Sequence, residues 1–136
     1  MRIILYYSIL FGLSQFALAI SEQKFELYKP GYTREGFCDK GVELTLMRDS
    51  VILKNFVKGV CDLYVPPNVR KYKIQSSSKD RCGTEHYIAK RNYDDETYTL
   101  KITDHRKRVC EDFPASKIIV IEEDSYGNGV EMHLPR

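Results

Sequence analysis

The chain has 136 residues, a formal net charge of +2, 43% hydrophobic residues, four cysteines and no tryptophan. This length suits one domain that can bury a substantial core. The near-neutral charge argues against a general nucleic-acid binder, because such proteins usually carry a clear basic excess.

The N-terminal segment has the features of an export signal. Arg2 gives a positive start, residues 3–13 form an apolar run, and Ala17–Ala19 supplies small residues for cleavage. An uncleaved membrane anchor is the alternative, but the run is short for a bilayer and is interrupted by polar residues. We therefore predict a signal peptide over 1–19 and a single exported β-rich domain over 20–136, secreted or periplasmic, with no membrane span after signal removal.

Apolar and polar residues alternate with a period of two through most of the remaining chain. This pattern predicts half-buried β-strands. The expected fold is all-β, a small antiparallel β-sandwich or open barrel of about six to eight strands. The strand segments are 42–47, 51–57, 71–75, 86–90, 97–103, 117–123 (a central strand, apolar on both faces) and 130–134, and the turns or loops are Asp49-Ser50, 66–68, 76–80, 91–96 and 125–129.

The four cysteines predict two disulfides, because an even number in an exported chain is read first as a covalent framework. A two-residue turn at Asp49-Ser50 pairs Leu46 with Leu53. The same ladder then brings Cys38 opposite Cys61, within disulfide reach.

The remaining pair is Cys82–Cys110. If 86–90 pairs with 97–103 so that Tyr87 faces Leu100, Cys82 falls a few residues from Cys110. Each bridge is expected to stabilise the fold by roughly 3 kcal/mol.

The segment TDHRKRVCED, residues 103–112, carries the densest charge in the chain. Arg106, Lys107 and Arg108, together with Arg81, form a candidate basic patch on a disulfide-held loop, suited to a protein surface or an anionic glycan. The alternative is a solvated turn balanced by nearby carboxylates. Tyr93 lies in a turn-like segment and is a second candidate contact, since an exposed tyrosine offers apolar area and a hydroxyl.

Catalysis and metal binding are not predicted. Asp104 and His105 are neighbours on a strand and point to opposite faces, and the chain has no Gly-x-Ser-x-Gly motif. His86, His105 and His133 are scattered over separate strands, and the cysteine spacing is not that of a zinc site. No cofactor is expected.

These observations favour a non-catalytic exported binding domain, an inhibitor or ligand of an exported or envelope protein that acts through loops 104–110 and 92–96. A structural or envelope-associated protein is the first alternative. A small hydrolase that uses His86 or His105 is the second.

Overall fold

The computed structural model describes residues 22–30, 37–61, 64–112 and 114–135. The predicted signal peptide lies outside these residues. The part of the chain described contains strands and turns and no helix, and therefore no helix that could cross a membrane. The strands are β1 Gln23–Leu27, β2 Cys38–Leu46, β3 Ser50–Gly59, β4 Arg70–Lys79, β5 Glu85–Tyr93, β6 Glu96–Asp104, β7 Ser116–Glu123 and β8 Gly129–Pro135.

All eight strands belong to one antiparallel sheet whose spatial order follows the chain order. The sheet curls until its first and last strands meet. The backbones of Tyr28 and His133 then exchange two hydrogen bonds of 2.8 and 2.7 Å. The result is a nearly closed barrel, which confirms the predicted all-β class and resolves the choice between sandwich and barrel.

The barrel core follows directly from the period-two pattern, because alternate residues of each strand point inwards. Tyr72 of β4 is the largest fully buried side chain, and each of the other seven strands contributes at least one buried hydrophobic residue, the smallest being Ala89 of β5. The buried hydrophobic residues are Leu27, Leu44, Leu46, Val51, Leu53, Tyr72, Ala89, Leu100, Ile102, Ile118, Val120 and Met132.

The predicted register of the β2–β3 hairpin is wrong by two residues. Leu46 pairs with Val51, not Leu53, because the turn is at Arg48-Asp49. A shift of two keeps every side chain on the predicted face, since the side-chain period is also two.

The β5–β6 register is wrong in the same way. Ala89 pairs with Leu100, and Tyr87 pairs with Ile102. The turn consists only of Asp94 and Asp95, with φ of 47° and 60°, the left-handed pair that two-residue hairpins favour. The predicted loop 92–96 is therefore mostly strand.

The prediction of a polar loop at 76–80 is also wrong. Residues up to Lys79 continue β4 and pair with β5 after a bulge near Ile74 and Ser76. Three consecutive serines gave no alternation, which is why the sequence pattern missed this half of the strand.

Both predicted disulfides are confirmed, with Cα–Cα distances of 5.0 Å for Cys38–Cys61 and 5.2 Å for Cys82–Cys110. Cys38 pairs with Gly59 in the ladder, and the positive φ of Gly59 turns the chain so that Cys61 reaches it. The first bridge holds what we call the cavity end of the barrel, with the connections β1–β2, β3–β4, β5–β6 and β7–β8. The second holds the basic end, with the connections β2–β3, β4–β5 and β6–β7.

Candidate functional site

A cavity of about 1160 Å³ opens to solvent at the cavity end of the barrel. Its volume slightly exceeds the range of about 300 to 1,000 Å³ that is usual for small-molecule sites, and the mouth of a β-barrel is a common location for them. Eight strands also enclose just enough space for one small ligand. The lining residues include Leu27, Lys29, Lys40, Val42, Leu53, Asn55, Val65, Val69, Arg70, Arg91, Tyr93, Tyr98, Val120, Glu122, Val130 and Met132.

The cavity is apolar at its buried base and mixed at its mouth, where exposed valines lie among polar and charged side chains. Leu53, Val120 and Met132 are buried core residues that face it. Asn55 follows Leu53 on the same face of β3, and Glu122 follows Val120 on the same face of β7. Such a surface can take an apolar body below and a polar group above.

A hydrogen-bonded network links β4 to β7 beside the cavity. The Nε of Arg70 donates to the carboxylate of Glu122 over 2.8 Å, and its Nη1 donates to the Asn68 carbonyl over 2.7 Å and to Asn55 Oδ1 over 3.3 Å. The Tyr72 hydroxyl donates to the same carboxylate oxygen of Glu122. Burial, together with this negatively charged partner, raises the pKa of Tyr72. The phenol therefore stays protonated as a donor.

The sequence analysis missed the polar residues of the mouth, including Arg70, Arg91 and Glu122. A signal for them exists, because each lies two positions from a buried residue on its strand: Tyr72, Ala89 and Val120. A charged side chain at an inward-facing position is unusual in a core and marks the level where the barrel opens.

The predicted basic patch has a different arrangement from the one expected. Arg106 donates hydrogen bonds to the buried carboxylate of Asp104 from Nε at 2.9 Å and from Nη2 at 2.7 Å. Its Nη2 also donates to Gln23 Oε1 over 2.8 Å. Its guanidinium carbon lies 4.3 Å from the centre of the Phe25 ring. The Asp104 carboxylate raises the pKa of Arg106.

The other two cations of the segment are paired as well. Arg108 donates from Nη2 to both carboxylate oxygens of Asp112 at 2.8 Å and from Nη1 to the Thr84 hydroxyl at 3.1 Å. Lys107 lies 3.5 Å from Glu85, although its side chain remains 68% exposed. Carboxylates therefore compensate all three cations, and residues 103–112, with three acidic and three basic side chains, present no net positive charge at the basic end.

The structure does not bring all the predicted binding residues together. Arg81 is exposed next to Cys82 at the basic end. Tyr93 is 60% exposed, as predicted, but lies at the cavity end, where it lines the mouth. The nine residues of β5 separate the two ends, a distance of roughly 27 Å.

The histidines at the basic end have hydrogen-bonding partners. The Thr84 hydroxyl accepts from Arg108 and lies 3.0 Å from His105 Nδ1, a contact whose donor depends on the histidine tautomer. Burial and the neighbouring charges of Arg108 and His86 lower the pKa of His105. His86 Nε2 lies 3.2 Å from Asp80 Oδ2.

A serine–histidine–glutamate chain lies on β7 and β8. Ser116 Oγ is 2.7 Å from His133 Nδ1, and His133 Nε2 is 2.7 Å from Glu131 Oε1. Ser116 is only 7% exposed, and none of the three residues lines the cavity. Within the described ranges, no group of three or more histidine, cysteine, aspartate or glutamate side chains is placed to hold a metal ion.

A scan against protein-family models, a search of curated proteins and a search of solved structures found no match. The two disulfides are consistent with an oxidising extracellular or periplasmic environment. The geometry of the site is thus the basis for any statement about function.

Proposed function

We propose that this protein is an exported, non-catalytic binding protein that holds a small amphipathic molecule in the cavity of its barrel. The cavity itself carries the proposal: it joins a buried apolar base to a mouth lined with hydrogen-bonding side chains. The export-like sequence of residues 1–19 and the two disulfides support a secreted or periplasmic location.

The rigidity of the scaffold also supports this function. A cavity that persists without its ligand needs walls that do not collapse, because empty apolar space loses dispersion contacts. Here the Arg70–Glu122–Tyr72 network and the Cys38–Cys61 bridge hold the strands of the cavity end. A ligand would thus meet a largely preformed site, which reduces the entropy lost on binding.

The test uses the protein expressed into an oxidising compartment so that both bridges form. The neutral, polarity-sensitive fluorophore N-phenyl-1-naphthylamine is titrated against wild type, Val42→Trp and Lys54→Trp. Val42 lines the cavity, whereas Lys54 is exposed on β3 and is not among the lining residues. We expect saturable fluorescence enhancement in wild type and Lys54→Trp. The dissociation constant of the fluorophore should be at least tenfold higher for Val42→Trp, a difference of roughly 1.4 kcal/mol.

Absence of enhancement in wild type would overturn the proposal. Equal enhancement in all three proteins would place the probe outside the cavity and would also contradict it. Far-UV circular dichroism of each variant checks that the barrel has formed.

Recognition of a protein or anionic glycan by Arg81 and Arg106–Arg108 stays a prediction. The ion pairs of Arg106, Lys107 and Arg108 favour the cavity as the site to test first. Capture of a partner by wild type, and its loss on changing Arg81 and Lys107 to Glu, would support the basic end instead.

A further inference from the structure

Arg91 occupies an unusual position at the mouth of the cavity. It lies on β5 directly opposite Tyr98 of β6. Its guanidinium carbon is 4.6 Å from the ring centre of Tyr98, 5.4 Å from that of Tyr72 and 5.8 Å from that of Tyr93. Three aromatic rings therefore hold the cation in place, and cation–π attraction favours that position.

Arg91 interacts with the Tyr72 hydroxyl, and its guanidinium still has unused hydrogen-bonding capacity. Its Nε is buried and has no hydrogen-bond partner among the described residues. Arg70, the other arginine at this level, is bound to Glu122, Asn68 and Asn55. A buried guanidinium nitrogen without an acceptor is unfavourable, so a ligand gains binding energy if the Arg91 side chain turns to offer it this N–H group.

The carboxylates near the mouth are already engaged. Glu122 receives hydrogen bonds from Arg70 and Tyr72, and Glu123 lies 3.2 Å from Lys101. Asp124 accepts the backbone amides of the turn that follows it. Within the described residues, no carboxylate lies at ion-pair distance from Arg91, which leaves it as an uncompensated cation in the cavity wall.

We propose that Arg91 is the anion-binding residue of the cavity and that it receives the carboxylate of a single-chain carboxylic acid. The planar guanidinium matches a carboxylate in geometry as well as charge. The apolar tail would lie against Leu53, Val120 and Met132 at the buried base. This inference rests on the proposed function, because it assigns the ligand class of the same cavity.

The charges around Arg91 favour one negative charge over several. Glu122, Glu123 and Asp124 also line the cavity, so each further charge of a phosphate or dicarboxylate would be added to a wall that already holds three carboxylates. Lys29 lies at the rim, where it favours the approach of an anion from solution. A monocarboxylate meets both conditions.

The experiment compares dodecanoate with dodecanol as competitors of N-phenyl-1-naphthylamine at pH 8, where the acid is ionised. The two competitors share a chain length and differ in the charged head. The proteins are wild type, Arg91→Met, Arg91→Lys and the control Lys54→Met, which removes one cation from the outer face of the barrel. Thermal unfolding of each variant checks folding.

In wild type and Lys54→Met, we expect dodecanoate to compete about 10- to 100-fold more strongly than dodecanol, as a charge-assisted hydrogen-bonded pair implies. Arg91→Met should remove that preference and leave dodecanol unchanged. Arg91→Lys should retain part of it, because the charge remains and the two-pronged geometry is lost.

Equal competition by the two molecules in wild type would overturn the role of Arg91 while leaving the cavity as a binding site. So would a preference for the acid that survives in Arg91→Met. Failure of the fluorophore itself to bind wild type would instead overturn the proposed function. If Arg91→Met folds poorly, the role of Arg91 is judged from the preference for dodecanoate over dodecanol in wild type and in Arg91→Lys.

Discussion

Replacing Glu122 by Ala tests the network that holds the cavity end. The carboxylate accepts from Arg70, whose side chain is 9% exposed, and from the fully buried Tyr72; the Glu122 side chain is itself 21% exposed. Removing one partner of a buried ion pair costs about 3 to 5 kcal/mol because the other charge is left uncompensated. Residual hydration of Glu122 favours the lower figure, so we expect a loss of about 3 kcal/mol. For a domain of this size, that lowers the thermal midpoint by roughly 12 °C.

The assay is urea unfolding of the oxidised protein followed by far-UV circular dichroism. Glu123→Ala is the matched control, because Glu123 is the next residue and pairs with the half-exposed Lys101, a contact worth less than about 1 kcal/mol. The double variant Arg70→Met/Glu122→Leu should recover only part of the lost stability, since apolar residues can replace a buried pair but the buried Tyr72 hydroxyl still loses its acceptor. If Glu122→Ala lowers the free energy of unfolding no more than Glu123→Ala does, the Glu122 network does not stabilise the cavity end.

Three further changes probe the scaffold. Cys38→Ser/Cys61→Ser should lower the free energy of unfolding by about 3 to 4 kcal/mol, because the bridge closes a loop with a sequence separation of 23; urea unfolding measures this. Burial lowers the pKa of His105 from its ordinary 6.5, so the unfolded chain takes up the proton first and stability falls as the pH drops below that value. The thermal midpoint of His105→Gln should therefore change less between pH 8 and pH 5.5 than that of wild type. Gly59→Ala should destabilise far more than Gly127→Ala in thermal unfolding. Both residues have positive φ, but an added Cβ would meet the Phe37 carbonyl oxygen at 1.8 Å only at Gly59.

Each of these predictions has a contradicting result. A cysteine double variant within about 1 kcal/mol of the oxidised protein would mean that the bridge adds little to the barrel. Parallel pH profiles for wild type and His105→Gln would assign the acid sensitivity to other groups. Equal midpoints for the two glycine variants would mean that the backbone at Gly59 shifts to admit a methyl group.

The barrel core could be predicted from the sequence because the alternation of apolar and polar residues shows which side chains of a strand face the core, whichever strand it pairs with. Leu46 was placed on the correct face although it pairs with Val51 and not with Leu53. A turn displaced by one residue changes the pairing by two, which preserves the face and the approach of Cys38 to Cys61. The pairing itself depends on turn geometry, such as the positive φ of Asp94 and Asp95, which the residue types only suggest.

The candidate site was harder to predict because it depends on partners distant in sequence. The cations of the segment 106–108 are neutralised partly by close neighbours such as Asp112, but also by Glu85 from another strand. Arg91 stands out only once Tyr72 and Tyr98 are placed around it. The alternation gives inward-facing positions, but not which end of the barrel remains open.

Binding of a carboxylic acid in the cavity is tested most directly by titrating the ¹⁵N-labelled protein with dodecanoate and measuring the amide chemical shifts. We expect saturable shifts concentrated at Asn55, Arg91, Tyr98 and Glu122 around the cavity, with little change over 105–112. No saturable shift, or shifts confined to 105–112 at the opposite end of the barrel, would contradict it.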